Sequence, residues 1–353
     1  MRLETGRAAV YSARKVPPPI RPGPLSRART PSPMRSGPLH LLAGALCFST
    51  TGCAQALAPD GATPYVIGAL RLAVGFGALF CWCALKRSLP FGQTWNAREI
   101  VLNVLPATLA LVGFQLCFFK GVLDAGIGVG TVASIGTSPI IVALLALVLL
   151  KEKPAPAWYG ATFLAILGLV LLNWQSMQAG SGFALGMPLA AGTCYACYYV
   201  FSKPLSRRHP PETVMLVLFG LGGLIISPVY ALFPMGWVAG ARGLGIALYL
   251  GVVATALAYT LTLTGLKTTR ASTASTIGLA EPMAAACLGI FFLGEPVNAV
   301  TLAAMGCMLF GVLLLALFPG KGEESAGEGA DGNAANAGAQ YGSARQQGAL
   351  GEP

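Results

Sequence analysis

A carboxyl side chain, Glu281, stands near the middle of a long apolar run of the sequence. Its neighbours on the same helical face, Gly278 and Ala285, are small, so that face can pack closely or line a cavity. A charge at such depth costs about 2.5–3.5 kcal/mol to insert, so the group must face the interior, pair or stay protonated. Two roles follow: a site for an amine or an exchanging proton, or a protonated carboxyl that hydrogen-bonds a neighbouring helix.

Other polar side chains also lie inside apolar runs. Arg71 has apolar neighbours on both sides and needs a polar partner there, in a structural or a functional role. Gln115 and Tyr259 carry head groups that their own helices do not satisfy easily, whereas serine and threonine often bond back to their own backbone. With Glu281, the candidates for binding or coupling are Arg71, Gln115, Ser138, Tyr259, Tyr198 and Thr50.

Two prolines, Pro139 and Pro282, fall inside runs long enough to be helices. An interior proline removes a backbone hydrogen bond and costs about 3 kcal/mol in water. A helix bundle tolerates it where neighbouring groups satisfy the freed backbone. The prolines therefore predict either simple kinks or hinges beside the candidate site.

The sequence has no motif for a metal or a cofactor. Its nine cysteines all fall in apolar runs, and the histidines, His40 and His209, form no zinc-type cluster with them. Cys194-x-x-Cys197 lacks the strand–helix context of a soluble redox motif, so we interpret these residues as packing groups. We predict no metal, no cofactor and no enzyme activity, because an intramembrane enzyme needs clustered nucleophiles, histidines or metal ligands.

The elements that must position these residues follow from composition. Of 353 residues, 55% are hydrophobic and only 10% are charged, and the mean hydropathy is +0.67. A soluble protein carries about 25% charged residues. The composition excludes a soluble enzyme, a nucleic-acid-binding protein and a disordered chain, and it predicts a polytopic membrane protein.

Ten apolar segments have about the 20 residues that cross a bilayer core of roughly 30 Å. Backbone polar groups must be satisfied internally in lipid, so each segment is predicted to be a helix. The predicted spans are 39–58, 64–85, 100–120, 127–150, 156–174, 183–203, 212–233, 243–265, 271–293 and 298–318. This predicts an all-α membrane protein with ten transmembrane helices.

The net charge of +10 is concentrated on one side of this map. With the basic N-terminus inside, 20 of the 23 basic residues lie in the tails, the inner loops 86–99, 151–155, 204–211 and 266–270, and adjoining helix ends. Basic residues favour the cytoplasmic side. We predict that both termini are cytoplasmic, that the protein is multi-pass in the cell membrane, and that it binds no nucleic acid.

The two ends of the chain differ in composition from the core. Residues 1–37 form a basic, Pro-rich tail, and residues 320–353 form a tail rich in Gly and Ala; both are predicted to be disordered. The first tail lacks the apolar stretch of a secretory signal. We interpret it as a disordered tail of the protein, a transit segment or an extension ahead of Met34, and we expect residues 1–33 to be dispensable.

An internal repeat relates the two halves of the core. At an offset of 143 residues, Pro139 aligns with Pro282, Glu152 with Glu295, and Gly168 with Gly311. A repeat of five helices forces the second copy to enter the membrane in the opposite sense. This predicts two inverted five-helix repeats, an arrangement that places a binding site near the midplane at the repeat interface.

Two segments resemble a known family. Thr137–Glu152 and Leu279–Glu295 resemble the end of an EamA repeat of the drug/metabolite transporter superfamily, and Pro64 with Arg71 resembles its early motif. The first helix departs from the pattern: residues 47–52 stand where a tryptophan-containing motif is usual. The resemblance implies EamA repeats at 38–175 (helices 1–5) and 183–318 (helices 6–10).

The resemblance also implies a function. It implies a secondary transporter that exports a small organic metabolite or drug by alternating access. The alternatives are an importer or exchanger of sugar- or phosphate-bearing solutes, an intramembrane enzyme, and a structural membrane protein that transports nothing. The expected partners are a small-molecule substrate, membrane lipid and a second copy in a homodimer. Substrate identity, transport direction and coupling ion stay open.

Overall fold

The computed structural model describes residues 36–87, 89, 95–179, 185–294 and 296–318. These residues form helices joined by short connections, and they contain no strand. Residues 36 and 37, assigned above to the basic tail, begin the first helix. The rest of both predicted tails lies outside the described residues.

Ten long helical runs follow one another in the described part of the chain. They are α1 (Ser36–Ala56), α2 (Pro64–Leu85), α3 (Ala97–Ala125), α4 (Val129–Leu150), α5 (Pro156–Leu172), α6 (Gly186–Arg208), α7 (Pro211–Leu232), α8 (Ala241–Thr268), α9 (Ala271–Gly278 and Ala280–Leu293) and α10 (Ala299–Leu317). Seven are long and apolar enough to cross a membrane, namely α2, α3, α4, α7, α8, α9 and α10. The α5 helix is apolar but shorter, and α1 and α6 contain more polar residues.

Local sequence explains where several helices begin. Pro64, Pro156 and Pro211 stand at the first helical position, where the missing N–H is not needed. At the start of α10, the side chain of Asn298 accepts a hydrogen bond from the Thr301 N–H at 2.8 Å. This side-chain cap satisfies a backbone donor that the helix itself leaves unpaired.

Side-chain contacts show which helix ends lie together. We define the basic end as the end where α4, α6 and α8 finish and α9 begins. There Lys203, near the end of α6, donates to the Thr269 carbonyl just after α8 at 2.6 Å. Trp158, at the start of α5, donates from Nε1 to the Ser272 carbonyl of α9 at 3.0 Å.

The opposite end contains the other terminus of each of these helices. Arg242, at the start of α8, donates from Nε to the Leu57 carbonyl just after α1 at 2.8 Å. Near the end of α3, Gly121 packs against Pro188 at the start of α6. Contacts at both ends therefore indicate that successive helices run in alternating directions.

The helix pairs that pack together form a regular set. The most extensive contacts join α3 to α6, α1 to α8, α5 to α10, α4 to α6, α1 to α9, and α2 to α7. If five is added to each helix number, and ten is subtracted from any result above ten, the α3–α6 pair becomes the α8–α1 pair. The same operation maps α5–α10 and α2–α7 onto themselves, so the packing has the pattern of two equivalent halves.

The α4 and α9 helices are irregular at matching positions. In α4, a π-helical turn spans Val132–Gly136, and regular α-helix resumes at Thr137. In α9, the helix is interrupted at Leu279 and resumes at Ala280, 143 residues after Thr137. Pro139 and Pro282 follow the points of resumption by two residues, so each irregularity includes the backbone whose hydrogen bonding proline disrupts.

Candidate functional site

Glu281 lies in the first turn of the second half of α9, directly before Pro282. Its side chain is partly accessible rather than fully buried. No hydrogen bond or ion pair to its carboxylate is present among the residues that the structure describes. The break at Leu279 places this carboxylate at a helix N-terminus, where the partial positive charge of the backbone favours an anion.

Four side chains lie close enough to Glu281 to interact with it electrostatically: Arg71, Tyr195, Tyr199 and Tyr259. The hydroxyls of Tyr195 and Tyr199 are 3.1 Å apart. Each of these hydroxyls also lies 3.5 Å from the position that a Cβ at Gly278 would occupy, one turn before Glu281. The α6 tyrosines therefore border the break in α9, beside the carboxylate.

Arg71 connects α2 to an irregular part of α8. Its Nε donates to the Thr255 hydroxyl at 2.8 Å, and one terminal nitrogen donates to the Ala254 carbonyl at 2.8 Å. Both acceptors belong to a π-helical segment, Val252–Leu257, and such segments are frequent at functional sites. The polar partner that the sequence required for Arg71 is thus supplied by α8, and the two bonds leave other guanidinium N–H groups for the neighbouring site.

Tyr259 of α8 is enclosed by aromatic rings. Phe48, Tyr198 and Phe219 each meet its ring edge-on, at centroid separations of 4.8, 5.4 and 5.5 Å. Edge-to-face pairs of this kind stabilise a fixed ring orientation. The Tyr259 side chain is 5% exposed, so its position is set by α1, α6 and α7 together.

Tyr198 uses its hydroxyl on another helix. Its hydroxyl donates to the sulfur of Met215 in α7 at 3.6 Å. Tyr195 and Tyr199, four residues apart on α6, occupy the place beside Glu281 instead. The sequence contained all three tyrosines, but their spacing did not indicate which helical face meets α9.

Gln115 and Thr50 differ in what surrounds them. Gln115 of α3 is buried, with Nε2 3.7 Å from the Cβ position at Gly68, one turn before Arg71. It therefore lies near the Arg71 side of the cluster. The Thr50 hydroxyl donates to the Cys47 carbonyl of its own helix at 2.7 Å.

Ser138 is used by its own helix. Its hydroxyl donates to the Ile135 carbonyl at 2.7 Å. In a regular helix that carbonyl would accept a hydrogen bond from the backbone N–H of residue 139, but proline has no backbone N–H. Ser138 thus compensates for the proline, which gives this residue a structural task in α4.

The cluster suits a cationic or zwitterionic ligand. The accessible Glu281 carboxylate can accept hydrogen bonds from an ammonium group, and nearby tyrosines offer hydroxyls and ring faces that attract cations. The Arg71 guanidinium lies within electrostatic range of that carboxylate. Among the residues that the structure describes, no group of His, Cys, Asp and Glu is arranged to hold a metal ion.

Comparisons with known proteins identify relatives over most of the chain. The EamA-like transporter family model matches residues 35–174 and 182–317. The chain is 36% identical over 284 residues to YwfM of Bacillus subtilis, an uncharacterized transporter, covering 80% of this chain and 94% of YwfM. It is 28% identical over 267 residues to the threonine/homoserine exporter RhtA of Escherichia coli K12, covering 72% of this chain and 82% of RhtA.

A solved crystal structure has the same fold, with a TM-score of 0.68 at 19% sequence identity, covering 80% of this chain and 96% of that one. The family match agrees with the resemblance read from the Pro-to-Glu segments. Seven apolar helices and the transporter relatives together show a multi-pass integral membrane protein.

Proposed function

Because this chain belongs to the EamA-like transporter family, we propose that it is a secondary transporter that exports a small amine-bearing metabolite, such as an amino acid, by alternating access. Glu281 carries this proposal, as a partly accessible carboxylate inside the helix bundle with no hydrogen-bond or ion-pair partner among the described residues. In this role Glu281 binds the substrate ammonium group, exchanges a proton, or does both in different steps. The similarity to a threonine/homoserine exporter supports the same substrate class.

The competing substrate class has less support in the site. A sugar phosphate carries two negative charges and requires several cationic groups. Arg71 is the cation beside Glu281, and two of its donors already bind α8. Lys120, the other basic residue considered for this role, is exposed and paired with Asp124 near the end of α3.

The topology belongs to the same proposal: ten membrane crossings in two inverted five-helix repeats, with both termini in the cytoplasm. The alternating directions of successive helices support it. The packing supports it too, because adding five to each helix number converts packed helix pairs into other packed pairs or into themselves. Positive backbone angles support it too, because Lys151 after α4 and Gly294 after α9 both adopt left-handed φ values and are 143 residues apart. Pro139 and Pro282 act as the hinges of the two halves.

Transport by purified protein in proteoliposomes tests the function. Vesicles loaded with labelled threonine, homoserine or a panel of other amines, sugars and sugar phosphates are compared with and without a pH gradient. Amine efflux that exceeds efflux from protein-free vesicles is expected. Transport of sugars or sugar phosphates, with no amine transport, would contradict the substrate class.

Glu281→Gln tests the site, since glutamine keeps the shape and hydrogen-bonding capacity of the side chain but cannot titrate. We expect normal insertion, with transport or its pH dependence lost. Asp124→Asn is the matched control, because it neutralises a partly exposed carboxylate at the end of α3 and should transport like the parent. Parental transport by Glu281→Gln across the pH range would make this carboxylate structural.

A further inference from the structure

An ion pair that includes a buried lysine joins three helices at the basic end. Lys203 of α6 is 1% exposed, and its Nζ lies 2.8 Å from the carboxylate of Glu152, just after α4. The same ammonium donates to the Thr269 carbonyl after α8 at 2.6 Å. A lysine that is fully buried needs such partners, because an unpaired charge is costly away from water.

The Glu152 carboxylate also holds the beginning of α9. It accepts a hydrogen bond from the Ala271 N–H at 3.1 Å, which caps the first turn of that helix. The exposed Arg207 adds an ion pair at 3.2 Å. One carboxylate therefore ties the end of α4, in the first half of the chain, to α6 and α9 in the second half.

We propose that Glu152 and Lys203 form a lock that closes the basic end of the bundle and must break each time that end opens. The inference rests on the proposed transport function and its repeat topology. The lock and the candidate site share α9, since Ala271 begins the helix that carries Glu281. Movement of α9 at the site therefore strains the cap at Ala271.

Cysteine labelling at a buried position beside the lock tests this inference without any substrate. Ser272→Cys places a thiol in the first turn of α9, where the native side chain is 3% exposed. Purified protein is treated with a membrane-impermeant maleimide, and the label at residue 272 is quantified by peptide mass spectrometry, so the native cysteines can stay. We expect Lys203→Met to raise the labelling rate about tenfold or more, within the range of typical conformational couplings.

Two further variants separate opening of the lock from misfolding. Glu152→Gln keeps an acceptor for the Ala271 N–H but removes the ion pair, so it should also label faster than the parent. The double variant Lys203→Met, Glu152→Gln should label more slowly than Lys203→Met alone, because it also removes the largely buried carboxylate charge that Lys203→Met deprives of its ammonium partner. Helix content and elution as a single species check that each variant is folded.

Lys120→Gln is the control, because it removes the exposed ion pair with Asp124 and should label at the parental rate. Parental labelling in folded Lys203→Met and folded Glu152→Gln would overturn the lock. So would equal acceleration by Lys120→Gln. A chain that labels as expected but transports nothing would refute the proposed function and leave the lock in place.

Discussion

Gly168→Ala is expected to destabilise the protein, because α5 and α10 cross where only glycine fits. A Cβ at residue 168 would lie 2.5 Å from Cγ of Met308, 2.6 Å from the Ala304 carbonyl oxygen and 3.1 Å from the Met308 nitrogen. Ordinary van der Waals contact at a Cβ begins at 3.4 Å. The methionine side chain can rearrange, but the two backbone atoms move only if α10 moves as a whole.

The size of the effect follows from this geometry. Overpacking a well-packed interface typically costs 1–3 kcal/mol, so we expect Gly168→Ala to lose about that much stability. Gly311→Ala should behave similarly, because its Cβ would lie 2.7 Å from the Ala161 carbonyl oxygen on the other side of the same crossing. Gly168 and Gly311 are also the aligned glycines of the internal repeat.

The measurement is thermal unfolding of purified protein in detergent, with Gly306→Ala as the control. Gly306 lies on α10 too, but a Cβ there meets nothing within 4 Å. Alanine is favoured over glycine in helices by up to about 1 kcal/mol, so this control should be neutral or slightly stabilising. Equal unfolding temperatures for Gly168→Ala and Gly306→Ala would refute the close crossing of α5 and α10.

Three other outcomes are expected. Arg71→Lys should lower the free energy of unfolding by roughly 1.5–3 kcal/mol, because one ammonium does not reproduce the two separate hydrogen bonds from the guanidinium to α8. An unchanged unfolding temperature would contradict this expectation. Lys151→Gly should raise the unfolding temperature slightly, because Lys151 adopts a left-handed φ of 56°. Gly294, at the matching position, adopts a left-handed φ of 68°, which glycine tolerates without strain. A lowered unfolding temperature would show that the lysine side chain matters more. Reporter fusions after Leu57 should be external and those after Arg98 internal; the reverse pattern at both sites would refute the proposed orientation.

The sequence by itself was sufficient for the class of protein and for the starts of several helices. Low charge and long apolar runs predict membrane helices because unpaired backbone groups are too costly in lipid. Those runs place helix starts at residues 64, 156 and 271, where the structure also begins α2, α5 and α9. The Pro-to-Glu segments identified the family, which the family model then confirmed.

Only the tertiary structure showed which residues belong to the candidate site. Residues 195, 198 and 199 are all compatible with a helix, and only the packing of α6 against α9 places Tyr195 and Tyr199 beside Glu281. The acceptors of Arg71 are 183 and 184 residues away in sequence, and one of them is a backbone carbonyl, which residue type does not reveal.

The task of Glu152 also became visible only in three dimensions. The sequence indicated only that Glu152 lies at the end of a helix, next to a loop. In the structure its carboxylate pairs with Lys203 and accepts a hydrogen bond from the N–H of Ala271, 119 residues further along the chain. Helix periodicity and hydropathy describe each segment separately. The rotation of one helix against another determines which side chains meet, and that rotation results from close packing among all the helices at once.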